Sequence, residues 1–245
     1  MARYLVVALL LVMMAAIEVL AGACGTQRGG TQQVGKLQHE SKSIQPQNEK
    51  SLHTKLQMGA GKLNLTGGAD SLMEADFSYN VSDWKPKVNY HVSNQKGELT
   101  LKQGSGGGAR LGAHARNEWD IRLNDEVPTD LLVQMGAGES DLDLDSLTLR
   151  GVDLQLGAGK TTVDLTGDYA QNFDTSIEGG VGEATVLLPS EVGVKANAEG
   201  GLGKINTEGL QKVGGSYVNE AYGESDVNLN VDVQGGVGEI NLEVV

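Results

Sequence analysis

The chain has 245 residues, one cysteine, 35 glycines, ten aromatic side chains (2 Trp, 6 Tyr and 2 Phe) and a formal net charge of −13. One cysteine excludes an intrachain disulfide and a thiolate cluster holding zinc or iron, and the acidic balance argues against a phosphate-backbone partner, so no nucleic-acid partner is expected; no motif in the chain calls for a cofactor. Apolar residues at 39 % together with the glycines argue against wholesale disorder and for a thin, aliphatic core.

The N-terminus reads as an export signal. Arg3 precedes an apolar run from Leu5 to Ile17, and Ala21-Gly22-Ala23 supplies small residues for cleavage immediately before Cys24. Leu20-Ala21-Gly22-Ala23-Cys24 resembles the lipobox of bacterial lipoproteins, which implies a lipid on the Cys24 thiol, a cleaved segment at 1–23 and a membrane partner through that lipid. Ala21 and Glu18 depart from that pattern. The other reading is a single uncleaved anchor, because Tyr4 to Ala23 spans 20 residues. Either way the folded part is expected outside the cytoplasm, held at the cell envelope. Residues 24–50 are rich in Gln, Gly, Lys and Ser, lack apolar periodicity and read as a flexible tether.

From residue 51 a phrase recurs. Gly59-Ala60-Gly61, Gly136-Ala137-Gly138, Gly157-Ala158-Gly159, Gly180-Val181-Gly182, Gly201-Leu202-Gly203 and Gly236-Val237-Gly238 are each flanked by alternating apolar and polar residues. First glycines from Gly136 onward are 21, 23, 21 and 35 residues apart. A period in the twenties predicts a coil of short strands, each turn about 4.8 Å above the last. Glycine belongs at the corner, where the chain turns sharply beneath a neighbouring coil and a Cβ would collide. The fold class is therefore all-β, a single-stranded β-solenoid with Gly-x-Gly corners, with an N-terminal region at 51–130 and the regular solenoid at 131–245. A β-sandwich is the competing arrangement, with turns expected at shorter intervals.

Residues 62–130 fit the period less well. Trp119, Ile121 and Leu123 alternate with charged residues as one strand, with Trp119 assigned to the core, and Gly104 to Gly108 reads as a mobile loop. Val227, Leu229, Val231 and Val233 alternate with polar residues as a strand with one wet face. The long gap before the last phrase leaves room for an inserted loop around Val213-Gly214-Gly215-Ser216-Tyr217. The chain ends at Leu242-Glu243-Val244-Val245 without an obvious cap, which raises end-to-end strand pairing between molecules.

The phrases Gly59 to Leu65, Trp119 to Leu123 ahead of Pro128, Leu132 to Gly138 and Leu156 to Lys160 resemble the toast-rack family, over roughly Leu52 to Val245. The resemblance implies a β-solenoid of bacterial envelope proteins, similar to the C-terminal domain of membrane proteins that respond to cell-wall-active antibiotics and to adhesin-like domains. It implies no catalytic residues.

Other motifs fail on inspection. Gly157 to Thr162 imitates a phosphate-binding loop, but Leu154 stands where its first glycine is required, so no nucleotide is expected. Asp141, Asp143 and Asp145 alternate like a calcium loop, yet Ser146 and Val152 replace the required Gly and Glu; the three carboxylates read as a solvated strand edge, with a weak cation site as the alternative. His39, His53, His91 and His114 show no pair at zinc spacing. Trp84, Tyr90, Tyr169, Tyr217 and Tyr222 are the rings that a polysaccharide-cutting groove could use. Met1 to Arg122 carries 14 basic and 10 acidic residues, whereas Leu123 to Val245 carries 5 and 22. This split orients the acidic part away from anionic head groups. The expected function is a non-enzymatic, envelope-anchored interaction scaffold, adhesin-like or responsive to cell-wall stress, with a protein or glycan partner; the alternative is an envelope polysaccharide lyase or hydrolase.

Overall fold

The structure, a computed structural model, describes residues 34–105 and 114–245. The signal segment at 1–23, Cys24, the first part of the tether and Gly106 to Gly108 of the glycine loop lie outside the described residues. The described residues form one compact unit. The strands in chain order are β1 (Gln38–Ile44), β2 (Ser51–Thr66), β3 (Met73–Tyr79), β4 (Lys87–Ser93), β5 (Lys96–Lys102), β6 (Asn117–Leu123) and β7 (Thr129–Asp143). There follow β8 (Leu149–Asp164), β9 (Phe173–Leu188), β10 (Gly193–Glu208), β11 (Gln211–Val213), β12 (Ser216–Val218) and β13 (Asn228–Val244).

The solenoid expectation holds. β2, β7, β8, β9, β13 and β10 stack in parallel, with the glycine phrases in register from strand to strand. Each phrase sits in the middle of one strand of 15 to 17 residues, so what reads as two short strands is two arms of a single strand bent at the corner. The second glycine of each phrase has a positive φ, 134° at Gly138 and 144° at Gly159. That region favours glycine. Loops such as Asp145 to Thr148 carry the chain from the second arm of one layer to the first arm of the next.

Side chains alternate along both arms and half of each set turns inward. Leu56, Val133, Leu154, Ile177 and Val233 form one buried column of the first arm; Leu65, Leu142, Val163, Val186 and Leu242 form its counterpart on the second. At the inner corner the column runs Met58, Met135, Leu156, Gly179, Gly235, Gly200 along the stack. As that column shrinks, the facing one changes from Ser140 and Thr161 through Ala184 to Ile240 and Ile205, which compensates in volume. A cavity of about 50 Å³ remains along this corner.

Three features depart from the sequence reading. The last strand is not the last storey: β13 lies between β9 and β10, paired in parallel on both sides. The C-terminal residues Leu242 to Val244 are therefore interior to the sheet, which corrects the expectation of end-to-end pairing through them. Residues 38–44, expected within the tether, form β1, antiparallel to β3. Its side chains carry no apolar stripe; it is held by backbone bonds, the Ser41–Asp76 hydrogen bond of 2.5 Å and the ion pair of Glu40 with Lys85. The expected regions at 51–130 and 131–245 share one sheet, since β2 lies directly against β7. On its other side β2 pairs with β5 along the first arm and β6 along the second, so one layer is assembled from two separate strands. This is why the period falters there. The insertion expected around Val213 to Tyr217 is present and folds as a hairpin of β11 and β12.

Candidate functional site

In-register parallel stacking repeats every outward residue as a column, and the most ordered column runs beside the corner on the first arm. Gln57 Nε2 donates to Gln134 Oε1 at 2.7 Å, and Gln134 Nε2 donates to Gln155 Oε1 at 2.6 Å. Glu178, Gln234 and Glu199 continue the same column across β9, β13 and β10. Stacked amides bond along the axis because adjacent layers present identical groups at one strand spacing. Similar side-chain bonds link Asn230 to Asp174 at 2.8 Å and Asn197 to Asp232 at 2.7 Å. The first residue after the corner alternates in charge for much of the stack: Lys62, Glu139, Lys160, Glu183, Glu239, Lys204. Lys160 and Glu183 form an ion pair at 3.4 Å.

The glutamine column borders an open groove of about 520 Å³ lined also by Trp84, Lys102 and Gln103. Gln103 closes the corner at that end. Its Oε1 accepts from Gly59 N–H at 2.8 Å, Ala60 N–H at 3.2 Å and Asn117 Nδ2 at 3.1 Å. Asn117 also donates to the Ala60 carbonyl at 2.8 Å and accepts from Trp119 Nε1 at 3.1 Å. These side chains bond the corner of β2 on the side away from β7. No motif in the sequence marked Gln103 or Asn117; the signal available was two amide residues flanking an irregular segment.

The aromatic residues are mostly structural. Trp119 is core, as expected, and meets Phe77 edge-on at 5.3 Å. Trp84 is buried, and Tyr169 is buried against Phe173. Tyr222 is exposed. A second groove of about 510 Å³ at the coil-closing loops is lined by Lys50, Asp145, Arg150, Asp168 and Tyr169. It brings two carboxylates, Asp145 and Asp168, near two cations, Lys50 and Arg150, but the Tyr169 ring is already packed against Phe173.

Asp141 and Asp143 point outward from β7 and Asp145 follows in the turn. Partial burial and the adjacent Asp145 push the Asp143 carboxyl above its ordinary value. Among the described residues no group of three or more His, Cys, Asp or Glu side chains converges as a metal site. The histidines lie apart: His39 bonds Ser78 at 2.9 Å on β1 and His91 meets Glu98 at 3.1 Å on β4. Cys24 lies outside the described residues. No described helix is long and apolar enough to cross a membrane.

Residues 33–187 match the family described as the N-terminal domain of toast_rack, DUF2154. The chain belongs to the toast-rack family. This toast-rack chain is similar to a candidate cell adhesion protein from Clostridium sporogenes, with 37 % identity, a TM-score of 0.83, and coverage of 86 % of this chain and 100 % of that one. Two further structures are a candidate adhesin from Bacteroides fragilis (10 % identity, TM-score 0.30, 84 % and 97 % covered) and a candidate lipid-binding protein from Parabacteroides distasonis (9 %, 0.30, 86 % and 97 %). No curated protein matches the chain.

Proposed function

We propose that this toast-rack chain is a non-enzymatic adhesion scaffold of the cell envelope, tethered through a lipid on Cys24, that offers the outward face of its first arms to a protein or glycan partner. The observation that carries this reading is the 37 % identity over the whole length of the Clostridium sporogenes candidate cell adhesion protein. The glutamine column supplies the physical means: its amides are spaced by the strand repeat and held in one orientation by their neighbours, so a repetitive partner meets ordered donors and acceptors at little further entropic cost. The acidic C-terminal half and the mildly basic N-terminal half orient the scaffold outward from an anionic membrane. Crosslinking in the native envelope tests the face. The full chain should capture a partner that the Gln134→Lys/Gln155→Lys variant, still folded by circular dichroism, fails to capture; equal capture by both would reject this face. Clickable fatty-acid labelling of wild type but not of Cys24→Ser tests the anchor, and equal labelling rejects it.

A further inference from the structure

The sheet ends on β10. Hairpin strand β12 covers only Lys195 and Ala196 of its outer edge, and no described strand pairs with that edge beyond Ala196. The second arm of β10, Leu202-Gly203-Lys204-Ile205-Asn206-Thr207-Glu208, therefore turns a row of backbone donors and acceptors to solvent; Leu202 is 73 % exposed. Such an edge is a template for another strand unless charges, a proline or a cover block it. At the opposite end β1 is guarded by the ion pairs that Glu40 makes with Lys42 and Lys85 at 3.0 and 3.2 Å. On the β10 arm the charges Lys204 and Glu208 form no ion pair among the described residues, so both are left for a partner strand.

We infer that the second arm of β10 is a docking edge for a second copy of this chain, the two arms adding antiparallel about a two-fold axis through Asn206. Directly opposed residues in an antiparallel pair share a face, so a two-fold axis normal to the sheet must pass through a residue rather than between two. Centring on Asn206 sets Lys204 opposite Glu208 of the second copy, and Glu208 opposite its Lys204, with Ile205 against Thr207 on the inner face. The neighbouring choices are poorer. An axis through Ile205 would set Leu202 against Glu208, and one through Lys204 would set like charges together. Within one chain Glu208 stands beside Glu243 in register, and no described cation forms an ion pair with it. Lys204 of the second copy relieves that like-charge contact. The two alternating arms then continue as one sheet across the axis.

This pairing goes beyond the scaffold reading, and its test in solution does not depend on it. Sedimentation of the full chain in detergent over a concentration series should show a monomer–dimer equilibrium. Lys204→Glu and Glu208→Lys each create two like-charge contacts per dimer and should weaken it about tenfold, while Lys204→Glu/Glu208→Lys restores it. Lys212→Glu makes the same charge change on the exposed hairpin and should leave the dimer unchanged. A monomer at every concentration, single reversals without effect, a double variant as weak as the singles, or a Lys212→Glu chain equally weakened would each overturn the proposal.

Discussion

A Cβ placed on Gly159 would overlap the carbonyl oxygen of Gly138 in the layer beside it, and the same overlap recurs between Gly182 and Gly159. The corner is thus a column in which each glycine makes room for the backbone of its neighbour. At Gly159 the φ of 144° adds a conformation that L side chains rarely adopt. Gly159→Ala is expected to destabilise the chain by about 3 kcal/mol or more, because neither a backbone carbonyl nor the strand pitch can give way. Gly215→Ala, where a Cβ meets nothing within 4 Å, should stay within about 0.5 kcal/mol of wild type. Urea denaturation of the two variants checks the contrast; equal losses would show that the corner is not close-packed.

Gln103 and Asn117 act together at the end of that column. Gln103→Ala leaves the Gly59 and Ala60 amides without their acceptor and should cost about 2 to 3 kcal/mol. Gln103→Glu keeps an acceptor for all three donors and should cost less than the alanine variant. Hydrogen exchange at the Gly59 and Ala60 amides should quicken in Gln103→Ala and stay slow in Gln103→Glu.

Opposite pH behaviour is expected of Asp143 and Glu118. Burial and Asp145 raise the folded-state pKa of Asp143 above the unfolded value of about 3.9, so stability is lost as pH rises through the interval between them. Asp143→Asn should therefore raise the unfolding midpoint at pH 7 and converge on wild type below about pH 4. Glu118 is lowered chiefly by the Arg116 guanidinium at 2.7 Å, so its contribution is present above the unfolded pKa and lost as pH falls through the folded one. Glu118→Gln should lower stability at pH 7 by at most about 1 kcal/mol for so exposed a pair, and converge on wild type in acid. Thermal melts across pH test both signs.

Removal of the C-terminal strand is the sharpest test of strand order. A chain ending at Val227 loses β13, which leaves β9 without its neighbour and β10 without its parallel partner. Such a truncation is expected to abolish cooperative unfolding of the C-terminal layers and to produce aggregates, as exposed long strand edges do. If β13 were a terminal storey, the truncated chain would remain soluble with a modest loss of stability.

Much of the coil was legible in the sequence. Alternation marked inward residues correctly for Trp119, Ile121, Leu123, Leu229, Val231 and Val233, since a strand buried on one face can satisfy its core in one register only. The phrase marked the corner, because positive φ and close backbone approach both demand glycine. The polar face of the candidate site was legible as alternation, whereas the bonded glutamine column needed the register that brings Gln57 beside Gln134, residues far apart in the chain.

The amino-acid sequence alone determined the shape of one coil, its corner, its wet and dry faces and the family to which it belongs. Only the tertiary structure decided which coil lies on which. Backbone bonding between parallel strands is blind to side-chain identity, and every phrase offers the same glycines, so β13 could stack on any layer as far as local pattern is concerned. Its place between β9 and β10 follows from packing across the whole stack, where Val181, Val237 and Leu202 align along the corner and Ile240 fills the space left by Gly235. The recruitment of β1 by the edge of β3 and the assembly of one layer from β5 and β6 have the same origin: an open strand edge takes whatever chain is tethered nearby, and tethering is a property of the folded whole.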